Sequence, residues 1–152
     1  MDHDGEDGLR TLNAARAKID RLLATQERLL RAVSPLEGLS QWQEELVRSR
    51  QECDAAPRPL DDLVELLVDG DEDTRAIVEA GFAAWESLLA MGITRMRDNG
   101  ELRQCTDPSR LATGMMAALQ GGLLLARTTR DVRRLEVALD MALNYVRAHA
   151  VT

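Results

Sequence analysis

Between Leu111 and Ala126 the chain runs sixteen residues without a charge, and Gly121-Gly122 lie inside that run. A helix on the surface of a soluble protein normally turns a polar face to water. Each glycine in a helix interior costs roughly 1 kcal/mol relative to alanine. Such a stretch must be covered on nearly every side by something that uses the room left by the missing side chains. At 1.5 Å per residue it would be about 24 Å long, short of the roughly 30 Å of a bilayer's hydrocarbon core. Arg110 and Arg127 bracket it, and no other segment reads as a span. The start, MDHDGEDG, is acidic where a secretory signal is basic and then apolar. The expectation is a cytoplasmic protein without membrane contact, in which this helix lies between its own core and a second body.

The length of 152 residues suits one domain with a core of its own, and a hydrophobic fraction of 45% argues against disorder. A net charge of −7 would repel phosphate, so no DNA contact by this chain itself is expected. Cys53 and Cys105 make no disulfide framework and are expected as reduced thiols. His3 and His149 have no ligand-type spacing around them. There is no Ser/His/Asp order, no GxSxG and no phosphate loop. DGDED at 69–73 lacks the spacing and distal glutamate of a calcium loop and reads as helix capping with solvated charge. Neither an enzyme, a metal site nor a cofactor is expected.

Hydrophobic periodicity predicts helices throughout. Residues 1–8 are expected to be a disordered acidic lead, with the domain occupying 9–152. Leu12, Ala15, Ile19, Leu22, Gln26, Leu29 and Val33 recur at alternating spacings of three and four, up to a stop at Ser34-Pro35. Ser40 and Gln43 suggest a capping box for a helix from Gln41 to Glu52, which offers Trp42, Leu46 and Val47 to a core. DAAPRP breaks the chain before a short helix, LDDLVELLVD, with Asp71 or Asp73 placed to cap the next one. That next helix carries Ile77, Gly81, Trp85, Leu88, Leu89 and Met96 as its apolar stripe and stops at Asn99-Gly100. Asp107-Pro108 starts the uncharged helix, with proline at the first helical position. Asp131 can cap the last. The fold class is all-α with about six helices.

The last two helices have more apolar surface than one core can use. On the uncharged helix Leu111, Met115, Leu119, Gly122 and Ala126 fall on one side, while Gly114, Ala118, Gly121 and Leu125 fall on another. Small residues let helix axes approach closely, so the second side is expected to meet a second subunit. The final helix makes the same double demand, with apolar positions at Leu135, Ala138, Leu139, Ala142, Tyr145 and Val146. Two such helices from each of two subunits predict a four-helix homodimer interface with two-fold symmetry. Gly114, Ala118, Gly121, Gly122 and Leu125 are assigned to it, with Leu135, Leu139, Ala142 and Val146 of the final helix. The alternative is a central helix wrapped wholly by its own chain.

The order Gly100-Glu101-Leu102, Asp107-Pro108, Leu111-Ala112, AALQGGLLL from Ala117 to Leu125, then Asp131, Leu135 and Ala138-Leu139 resembles the carboxy-terminal domain of TetR-family transcriptional regulators. The DPxxLA and LQGG segments are its most specific part, and the helix order fits from Leu9 onward. The resemblance implies a dimerisation and ligand-binding core in which the last two helices form the dimer's bundle. It also implies a pocket among the middle helices for a small apolar effector. Candidates are Trp42, Leu46, Leu63, Leu67, Trp85, Leu89, Met115 and Leu119, with Phe82 beside them. Gln26 and Gln120 are possible orienting groups. Apolar residues at helical spacing more often simply pack in a core, and the two glutamines can equally be satisfied by backbone carbonyls. The family's three-helix DNA-binding head has no counterpart among these residues. The resemblance thus implies the effector-sensing core of a repressor whose head is missing here. The alternative is a headless interaction protein that heterodimerises with a full-length regulator.

Overall fold

The computed structural model describes residues 3–31, 36, 38–52 and 71–151. Within them lie five helices: α1 (His3–Arg31), α2 (Gly38–Glu52), α3 (Glu72–Asp98), α4 (Pro108–Thr129) and α5 (Arg133–Arg147). The helix expected over residues 60–69, with Leu63 and Leu67, and Cys53 before it lie outside the described residues. Among the described residues the only strand-like pairing is one isolated antiparallel bridge, Leu102 to Ala150.

Two local expectations are corrected. α1 is already helical at His3, where a disordered acidic lead was expected; Glu6 and Asp7 suit the positive end of a helix dipole. α2 begins at Gly38, so Ser40 lies inside it and makes no cap. Its hydroxyl instead accepts a 2.6 Å hydrogen bond from Arg147 Nη2, and Gln43 Nε2 donates to Asp140 Oδ1 at 2.6 Å. Those contacts lay α2 antiparallel along α5.

The other caps follow from the residues at the helix starts. Asp71 accepts from the Thr74 backbone N–H at 2.7 Å and Asp107 from that of Arg110 at 3.3 Å, with Pro108 following. Asp131, expected to cap the last helix, is not its N-cap: that position is Val132, with no side-chain cap. One residue earlier, Asp131 takes the Arg133 backbone N–H at 3.1 Å, along with a side-chain pair to the same guanidinium. These bonds hold the Asp71 and Asp131 carboxyls below the ordinary carboxylate value, for Asp71 through the Thr74 backbone and for Asp131 through the Arg133 side chain first. A depressed carboxyl stabilises the fold above its unfolded value, and that contribution disappears as pH falls through the folded one.

α3 is the central helix. By length and composition it is apolar enough to cross a membrane, with a window of mean hydropathy 1.4, which corrects the expectation that no segment comes close to a span. Its apolar side is occupied within the chain: Val78, Trp85, Leu89, Ile93 and Met96 are buried among α1, α2 and α4. It is a core helix. α1 lies parallel to it, with Ile19 against Gly81 and the Leu30 carbonyl taking a 2.7 Å bond from Arg95 Nη2. A Cβ at Gly81 would sit 2.7 Å from Ile19 Cγ2, so the bare glycine sets how closely these two helices pass.

α4 and α5 form an antiparallel hairpin at the other side of α3. Its turn is closed by Asp131 N donating to Ala126 O at 3.0 Å, which places Arg130 in the left-handed region at φ 54. The hairpin's contact runs through Gly122. A Cβ there would stand 3.1 Å from Leu135 Cα, from Leu135 Cδ1 and from the Ala138 methyl. Nothing lies within 4 Å of a Cβ built on Gly121. After α5 the chain returns to the connector beyond α3, with Arg103 N donating to His149 O at 2.9 Å and Val151 N to Glu101 O at 3.0 Å. Gly122→Val should therefore lower unfolding stability in urea by about 1–3 kcal/mol through overpacking. A variant as stable as the parent would show that α5 does not depend on this close approach.

Candidate functional site

Three residues singled out for a ligand meet one another in the core. Trp42 Nε1 donates to Gln26 Oε1 at 2.8 Å, and Trp85 Nε1 donates to the same oxygen at 3.1 Å. Gln26 comes from α1, Trp42 from α2 and Trp85 from α3, and all three are buried. Because indole N–H groups can only donate, the amide must present its oxygen to both. One carbonyl thereby satisfies two buried donors and ties three helices together. Leu46, Leu89, Met115 and Leu119 lie buried in the same core cluster as the two indoles.

The two sides of α4 differ sharply. Leu111, Met115, Leu119, Gly122 and Ala126 face inward and are buried. Outward, the exposed residues Thr113, Gly114, Ala117, Gly121, Leu124, Leu125 and Thr128 carry no charge at all. Leu124 and Leu125 are each about half exposed. α5 extends the same apolar surface: Val137, Met141 and Tyr145 are exposed at four-residue spacing, Met141 at 71%. Ala138 and Ala142 are half-buried beside them.

The residues assigned to a partner from sequence therefore divide. Gly114, Ala118, Gly121, Leu125 and Ala142 lie on or beside this outer face. Leu135, Leu139 and Val146 are instead wholly buried in the chain's own core, and Gly122 is filled by α5 of the same chain. The outer face also carries Leu124, Val137 and Met141, which the apolar spacing alone did not single out; Val137, Met141 and Tyr145 follow an i, i+4, i+8 pattern.

Flanking the outer face of α4 is an open groove of about 380 Å³ against α3. Phe82, Ala83 and Glu86 line it from α3, and Thr113, Met116, Ala117 and Gln120 from α4. Gln120 Nε2 is buried and has no hydrogen-bond partner among the described residues. Phe82 and Gln120 stood among the sequence candidates; Met116 is a further apolar residue of α4, and Ala83, Glu86, Thr113 and Ala117 are small or polar residues whose spacing carries no signal of a groove. At the hairpin turn, Arg130, Arg133 and Arg134 are exposed, and Arg133 is paired with Asp131.

A model of the family described as tetracyclin repressor-like, C-terminal domain, matches residues 64–142. The match spans α3, α4 and most of α5, and so the groove and the outer face as far as Met141; α1 and α2, with Gln26 and Trp42, lie outside it. No curated protein and no solved structure matches the chain.

The three-helix tie gives a test. Gln26→Leu leaves two buried indole N–H groups without an acceptor and should cost about 2–4 kcal/mol in urea unfolding. Loss of less than about 0.5 kcal/mol, a surface-like effect, would show that the amide does not hold the helices.

Proposed function

The chain belongs to the tetracyclin repressor-like C-terminal domain family, and on that premise we propose that it is the effector-sensing and homodimerising core of a transcriptional repressor. Regulation rather than catalysis is the work of this family. The observation that supports the reading most directly is the outer face of α4, whose exposed residues from Thr113 to Leu125 carry no charge and which is continued by Val137, Met141 and Tyr145. Water is a poor solvent for such a surface. A second copy presenting the same face through a two-fold axis covers it, as each helix pair meets its equivalent. Gly114 and Gly121 stand seven residues apart on this face with no atom within 4 Å of their built Cβ positions, so they leave room for a partner's helices.

The effector half of the proposal uses the same core. α3 touches α4 on one side and, through Trp85 and Gly81, α1 on the other. A small apolar molecule that alters the spacing of α3 and α4 would be felt at α1, and by a DNA-binding head joined to it. Such a molecule acts only through unequal affinity for two arrangements of these helices, since equal binding shifts no population.

Fusion to a monomeric DNA-binding domain that grips its operator only as a pair tests the dimerising role. The fusion should repress a reporter, and Gly121→Leu or Leu125→Glu should abolish repression. Gly121 has free space around it within the chain, so its loss of function would report on the partner and not on folding. Full repression by both variants would contradict the interface.

A further inference from the structure

The groove between α3 and α4 contains a donor with nothing to donate to. Gln120 lines it, its Nε2 is buried, and no described residue supplies an acceptor. Buried amide groups are nearly always paired, and an orphan beside an open apolar space calls for an acceptor from outside the chain. Phe82, Ala83, Met116 and Ala117 make the surrounding surface apolar, and Glu86 is the one charged residue lining the groove. A carboxylate at this position repels anions.

We propose that this groove binds a compact, uncharged apolar molecule carrying a hydrogen-bond acceptor, which Gln120 Nε2 engages. The terminal torsion of a glutamine is broad, so the amide can turn its donor to a ligand without moving α4. Apolar contact with Phe82 and Met116 supplies the affinity, and the single hydrogen bond selects among molecules of the same shape. The inference rests on the effector-sensing reading and gives it a place and a ligand class. Thr113 and Ala117 belong both to this groove and to the outer face of α4. A second copy seated on that face borders the groove, and ligand binding is therefore linked to dimerisation.

Fluorenone and fluorene test the assignment, because they share a shape and differ by one carbonyl acceptor. Their affinities for the full chain are measured by competition against Nile red fluorescence. Fluorenone should bind about three- to tenfold more tightly, the usual net effect of one hydrogen bond. Gln120→Leu should remove that preference while leaving fluorene bound. Ala83→Trp fills the groove from the exposed side of α3, away from the outer face of α4, and should abolish binding of both with the helical circular dichroism retained. Equal affinities in the parent chain would overturn the role of Gln120 and leave an apolar effector site standing. Failure of both probes to bind, or binding unaffected by Ala83→Trp, would overturn the groove itself. The operator-repression assay reports on dimerisation separately from either outcome.

Discussion

The hairpin of α4 and α5 depends on the missing side chain at Gly122. With Leu135 Cα and the Ala138 methyl each 3.1 Å from where a Cβ would be, α5 would have to give by a few tenths of an ångström for any side chain there, so the bare position sets how closely it lies against α4. This close contact seats Leu135, Leu139, Leu143 and Val146 in the core, where all four are buried. It also fixes which residues are left outside. Gly121, one position earlier, projects about 100° away and meets nothing among the described residues. Two adjacent glycines thus serve different purposes, the first leaving an outer surface open and the second bringing α5 in.

A second constraint holds the remaining helices to this hairpin. The oxygen of Gln26 accepts from Trp42 and Trp85, so α1, α2 and α3 share one buried hydrogen-bonding centre. Aliphatic residues could fill that volume, but they would not orient three helices about a single atom. Gly81 then lets α1 pass α3 closely enough for Ile19 to pack on it. α3 thus meets α1 directly, at this centre through Trp85 and Gln26 and at Gly81 through Ile19. On the proposed reading, the geometry that keeps the core together is also the route by which a ligand beside α4 would influence α1.

Much of the fold was legible because its signals are local. The apolar stripe ending in Met96, the stop at Asn99-Gly100 and the start at Asp107-Pro108 are chemistry within a few residues, and the helices form there. Boundaries failed where a distant contact decided them: Ser40 has the composition of a cap, yet Arg147 of α5 claims its hydroxyl. Gln26 was legible as a polar residue on an apolar stripe, but its role depends on two indoles 16 and 59 residues away. The inward and outward faces of α5 could not be told apart by hydrophobicity, because Met141 and Val137 are as apolar as Leu139 and Leu143. Only the position of Gly122 against Leu135 says which face turns inward. The groove was the least legible feature, since Ala83, Glu86 and Thr113 become neighbours only when α3 and α4 cross.

Sedimentation equilibrium of the unmodified chain tests the central claim most directly, because the uncharged outer face of α4 has meaning only if a second copy covers it. Across micromolar concentrations the particle should have twice the chain's mass of 16.9 kDa. A particle that stays at 16.9 kDa throughout would contradict the claim.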